Sequence, residues 1–116
     1  MQTIAFAVPL LSGRTELNRL ELGSCWLGAR REAHGDARRR AGIIRESVWV
    51  QPSPDGDLAV VLLEADDLDI ALRILETSDE PFDRWFRDHL HQVHGTTWAQ
   101  AAPASQLVLD FDTNRI

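Results

Sequence analysis

The stretch that decides the fold reads Ile43-Ile44-Arg45-Glu46-Ser47-Val48-Trp49-Val50-Gln51, then Pro52-Ser53-Pro54-Asp55-Gly56, then Leu58-Ala59-Val60-Val61-Leu62-Leu63-Glu64-Ala65. Two β-prone runs flank a segment with the Asp-Gly signal of a tight reversal, so residues 43–65 predict a β-hairpin. The second run is apolar on both faces. Leu58, Val60 and Leu62 point one way, and Ala59, Val61 and Leu63 the other. A strand with one face in water alternates apolar and polar residues. This one asks for helices on one side of its sheet and a further cover on the other. A second copy of the chain is the expected cover.

The chain has 116 residues, enough for one domain with a core, and residues 1–116 are read as a single domain. The apolar run Ile4 to Leu11 lacks a basic flank and is too short to span a membrane, so it reads as a first strand and no membrane partner is expected. A single cysteine, Cys25, excludes an internal disulfide framework and fits a reducing cytoplasm; on the flank of a helix it reads as core. All twelve cations are arginine, and neither lysine nor tyrosine occurs, a bias of GC-rich genomes. Residues 1–50 carry a net charge of +3 and residues 51–116 a net −9, for −6 in all. An acidic chain is a poor general binder of nucleic acid, and none is expected as a partner.

Outward from the hairpin, Thr3 to Pro9 reads as strand one. Ser12 or Thr15 can cap a helix that runs to about Ala41 and stops at Gly42. Leu22, Trp26, Ala29, Ala33 and Ala37 keep helical phase across Gly35, which favours one continuous helix over a break at Gly35-Asp36. Asp66 or Asp67 caps a short helix with Leu68, Ala71, Leu72 and Leu75 inward. Pro81 opens another, which ends near His94 at Gly95. Thr96 to Gln106 is a long loop, and Leu107 to Phe111 a last short strand. The order is βαββ(αα)β: an α+β, ferredoxin-like domain with a four-stranded antiparallel sheet and helices on one face.

That order, together with the segment Pro81-Phe82-Asp83-Arg84-Trp85-Phe86-Arg87-Asp88-His89-Leu90, resembles the dimeric α/β-barrel superfamily, and small bacterial members of it in particular. The resemblance implies a homodimer packed sheet to sheet. It also implies one of several roles: a small-molecule binder, a cofactor-independent enzyme such as a polyketide-type cyclase or monooxygenase, or an assembly or regulatory module without a ligand.

His89 is the candidate catalytic residue. It falls among Phe82, Trp85, Phe86 and Val93 on the apolar face of its helix, where it can act as acid or base. A core histidine bonded to backbone fits the same position. His91 and His94 lie on the polar side, and about 200° of helix separates His91 from His89, so no metal site and no cofactor are expected.

The candidate ligand-binding residues are Trp49, Trp85, Trp98, His34, Arg45 and Glu64. Trp49 and Arg45 share a strand face that can floor an aromatic pocket or anchor an interface, with Glu46 on the other face. Trp98 sits on the long loop as a lid or as apolar mass. Trp85 and Trp26 are apolar mass first. His34 can reach an anionic ligand from a helix flank or simply face water. Glu64 can face a cavity or pair with an arginine. The expected ligand is small and hydrophobic or aromatic. Arg38-Arg39-Arg40 reads as a solvated helix end, with Asp36 pairing to Arg40.

Overall fold

In the computed structural model, which describes residues 1–114, the chain is an α+β fold with one antiparallel sheet. β1 (Gln2–Pro9) leads into α1 (Thr15–Leu27) and α2 (Arg31–Ala41). The hairpin β2 (Ile43–Ser53) and β3 (Gly56–Ala65) follows, then α3 (Leu68–Thr77), α4 (Pro81–His94) and the short α5 (Trp98–Ala101). The sheet order is β1-β3-β2, so the apolar β3 is central and both its neighbours present a free edge. This arrangement is compatible with the ferredoxin-like pattern.

The hairpin forms where the Asp-Gly signal falls. Ser53 pairs with Gly56, whose φ of 124° lies in the region that favours glycine. Near the start of β2, Ile43 faces Ala65 and Arg45 faces Glu64, leaving Ile44 as the extra residue of a bulge. The bulge resets the alternation: Ile43, Glu46, Val48 and Val50 all turn toward the helices, while Arg45, Ser47 and Trp49 turn away.

Phe6, Val8, Ala59, Val61, Leu63 and Ala65 are buried on the helix side of the sheet. All but Ala59 pack with Phe82, Phe86, Leu90 and Trp98 into the main core, and Ala59 packs with Leu10 and Val93 in a smaller cluster. The opposite face carries Leu58, Val60 and Leu62 in mid-sheet, flanked by Ala5, Ala7 and Pro9 on β1 and by Ser47 and Trp49 on β2. None of these is buried, and Trp49 is 53% exposed.

Several local signals act as read. Asp67 caps α3 by accepting from the Ile70 amide, Pro81 opens α4, and Gly42 and Gly95 end α2 and α4 at φ 74° and 72°.

Others differ. The helix after β1 is two helices, broken at Gly28 and not at Gly35-Asp36. Gly28 is extended, and a Cβ on it would sit 2.9 Å from the Ser24 backbone. The Arg30 amide and guanidinium both fold back on Ser24, to its carbonyl and hydroxyl. The turn therefore needs a residue without a side chain, and the stripe expected along one helix dissolves: Trp26, Ala29 and Ala33 are exposed. Neither Ser12 nor Thr15 caps α1; Thr15 donates instead to Asp57 on β3 at 2.7 Å.

Leu107 to Phe111 is not a strand of this sheet. Leu107, Val108, Leu109 and Phe111 are 76–90% exposed. Their alternation favours a strand, but a strand needs a paired neighbour, and among the described residues the segment joins no strand of the sheet. The expected loop before it is partly helical, because Thr97 caps α5 through the Gln100 amide.

Candidate functional site

A cavity of about 630 Å³ opens between α1 and the free edge of β2. Asn18, Leu22, Gly23, Cys25 and Trp26 line it from α1, and Glu46 to Val50 from β2. His34 closes it from α2 and Phe86 from α4. Volumes of 300–1,000 Å³ lined by aromatics with a few polar groups are typical of small-ligand sites.

The polar groups of this wall are concentrated at one place. Glu46 lies on the inward face of β2, 10% exposed, and accepts from Arg38 Nε at 2.7 Å, Arg38 Nη2 at 3.1 Å and His34 Nε2 at 2.7 Å. Burial raises the Glu46 carboxyl, but the Arg38 charge, the hydrogen bonds from His34 and Arg38 and the His34 charge outweigh it and hold the group at about 2. The cluster is thus an ionised carboxylate held by Arg38 and His34. The Arg38 guanidinium also lies 4.4 Å from the Phe86 ring centroid, where a cation–π contact offsets its desolvation. Cys25, on the same wall, donates to the Glu21 carbonyl at 3.6 Å, and burial together with the Glu46 charge pushes its thiol up. It is a protonated lining group.

His89 is 1% exposed and lies behind the wall. Its Nε2 donates to Asn18 Oδ1 at 2.9 Å, its ring stacks on Trp85 at 5.8 Å, and its Nδ1 is buried without a partner. Burial, then the His94 and Arg30 charges, lower it to about 4, so the imidazole is neutral near neutral pH. Asn18, which does line the cavity, separates it from a ligand.

The other sequence candidates scatter. Trp49 lines the cavity mouth beside Trp26. Trp85 sits outside it, between His89 and the Arg30 guanidinium 3.9 Å above its ring. Trp98 is buried edge-on against Phe86 at 5.0 Å and Phe6 at 6.2 Å, as core and not as a lid. Arg45 and Glu64 face each other on the open side of the sheet, away from the helices.

His94 is buried as well, not on a polar side: its Nδ1 donates to the Pro9 carbonyl at 2.8 Å and ties the end of α4 to the end of β1. Each member of the arginine run has its own carboxylate: Arg38 takes Glu46, Arg39 takes Asp36 and Arg40 takes Asp83. Asp36 therefore pairs one residue earlier than expected, and the first arginine of the run is buried. Among the described residues no three His, Cys, Asp or Glu side chains gather as metal ligands would, and no helix is long and apolar enough to cross a membrane.

Glu46 is the residue that sequence reasoning passed over. A signal for it existed: His34 and Arg38 are four residues apart on one helix face, and Glu46 is the one carboxylate on the inward side of β2.

No protein-family model matches the chain, and no curated protein and no solved structure matches it.

Proposed function

We propose that this chain is a small-molecule-binding protein that works as a homodimer, with the α1–β2 cavity as its site. One observation carries the reading: an open space of about 630 Å³ walled by Trp26, Trp49, Phe86 and aliphatic side chains, with its charges already compensated inside the protein. Glu46 is neutralised by Arg38, and Arg19 at the rim pairs with Glu16. A site with no unbalanced charge favours a neutral, largely apolar and aromatic ligand. An assembly module without a ligand would be better served by side chains filling this space.

Gly23 supplies the test. It lies inside α1 on the cavity wall, and a Cβ there meets nothing within 4 Å. Gly23→Leu should plug the site and leave the fold intact. Titration of an uncharged aromatic probe, naphthalene, against Trp fluorescence should show saturable binding that Gly23→Leu abolishes. Equal binding by both proteins, or none by the wild type, would remove the cavity as the site.

The enzymatic alternative assigns acid–base work to His89, acting next to a ligand held against Asn18. Unchanged turnover of a found substrate by His89→Ala would remove it.

The dimer reading rests on the sheet face that carries Leu58, Val60 and Leu62. In it a second copy covers that face, and Leu107 to Phe111 completes a four-stranded ferredoxin-like sheet at the free edge of β1, giving the α/β barrel.

A further inference from the structure

We propose that His34 Nδ1 is the hydrogen-bond acceptor of the cavity and selects ligands that present a hydroxyl hydrogen on an aromatic ring, a phenol or a ring enol. The inference rests on the cavity being the ligand site and adds the chemistry of what enters it.

As an ionised carboxylate, Glu46 can only accept hydrogen bonds, so the 2.7 Å contact from His34 requires the proton on Nε2. In the neutral imidazole the lone pair then sits on Nδ1. That nitrogen takes no hydrogen bond among the described residues, and it is not among the buried unpartnered atoms, so it is open to a ligand. His34 lines this cavity and the adjoining groove between α1 and α2, with its side chain 21% exposed. Its ring is braced edge-on against Phe82 at 5.7 Å, which together with the Glu46 contact holds its orientation.

The rest of the wall sharpens the choice. Cys25 keeps its proton and directs it at the Glu21 carbonyl, and Asn18 Oδ1 is already taken by His89. Glu46 accepts three hydrogen bonds from within the protein. Ser47 also borders the cavity, but its side chain turns away from the helices, so His34 Nδ1 is the uncommitted side-chain acceptor on the helix side of a largely aromatic and aliphatic wall. A ligand that donates one hydrogen bond and is apolar elsewhere fits this set. Arg38 does not line the cavity; Glu46 is a positioning residue, acting through His34.

The test compares two probes of nearly equal shape, 2-naphthol and 2-methoxynaphthalene, of which only the first can donate. The wild type should bind 2-naphthol roughly tenfold more tightly, the usual worth of one net hydrogen bond in a partly buried site. His34→Phe should erase that preference while still binding the ether. His34→Asn, whose side-chain oxygen can reach the place of Nδ1, should restore part of it. In ¹⁵N-histidine spectra of the wild type, the Nδ1 resonance of His34 should move on addition of 2-naphthol and stay in place with the ether. This reading needs no variant to fold.

Equal affinity of the wild type for both probes, with an unmoved Nδ1 resonance, would overturn the acceptor role and leave the cavity reading standing. A preference that survives in His34→Phe would do the same. If neither probe binds, both readings fall.

Discussion

Two buried side chains, His89 and Glu46, make the fold sensitive to acid in separate windows. His89 is held at about 4 in the folded chain against 6.5 for a free histidine. Between those values the unfolded chain binds the extra proton and the folded chain does not. Stability is then complete above pH 6.5 and falls as pH drops toward 4. The loss between pH 7 and pH 5 should be about 2 kcal/mol by urea unfolding, and His89→Gln should flatten that dependence. An equally steep decline in the variant would assign the acid sensitivity elsewhere. Glu46 works lower: with its carboxyl at about 2 against 4.5, its contribution is intact above 4.5 and is lost as pH falls through 2. At neutral pH the Arg38–Glu46 pair is tested by substitution. Glu46→Ala strands a buried guanidinium 6% exposed and should cost about 3 kcal/mol or more, whereas Arg38→Met with Glu46→Leu should recover most of it. A single variant within about 0.5 kcal/mol of wild type would show the pair to be solvated, as surface pairs are. Of this cluster the sequence exposes His34 and Arg38 as helix neighbours. The carboxylate between them is legible only as a face, opposite Arg45 and Trp49 on β2; that this face meets His34 and Arg38 is decided by how α2 packs.

Elements were legible where a local rule acts alone. Asp67 before an apolar run and Gly95 after one each have a partner within four residues, Pro81 at a helix start needs none, and each acts as read. The break between α1 and α2 was not legible from apolar phase, because the phase continues through it and the interruption comes from close backbone packing at Gly28. Two glycines five residues apart make the point testable. Gly23 lies in a helix interior with open space around it, so Gly23→Ala should stabilise by up to about 1 kcal/mol, raising Tm by about 4 °C. Gly28→Ala puts a methyl 2.9 Å from the Ser24 backbone and should destabilise by about 1–3 kcal/mol. Thermal melts of the two variants should therefore move in opposite directions. A neutral Gly28→Ala would mean the turn is loose and the close approach to Ser24 is relieved at no cost.

At the scale of the molecule, the feature left over is apolar surface in two places. One is the uncovered sheet face with Leu58, Val60, Leu62 and the half-exposed Trp49; the other is the segment bearing Leu107, Val108, Leu109 and Phe111. Together they make a contiguous face and a strand-like segment, which exceed the scattered apolar exposure of an ordinary monomer. Both outer strands also leave an edge unpaired, a liability unless something covers it. The strand expected over Leu107 to Phe111 does not form here: alternating residues favour it, but pairing is decided by which edge is within reach. If a second chain covers the face, native mass spectrometry should give a species at twice the 13.1 kDa chain mass. Leu62→Glu should convert it to a folded monomer, because Leu62 points away from the core and the charge disturbs only the contact between sheets. Removing residues 106–116 tests the other half: if that segment completes the sheet, the shortened chain should dissociate at lower dilution or be monomeric. A wild type that is monomeric at micromolar concentration would remove the barrel assembly. A dimer indifferent to both changes would place the contact elsewhere, on α1, where Leu20 and Leu27 are 74% and 75% exposed.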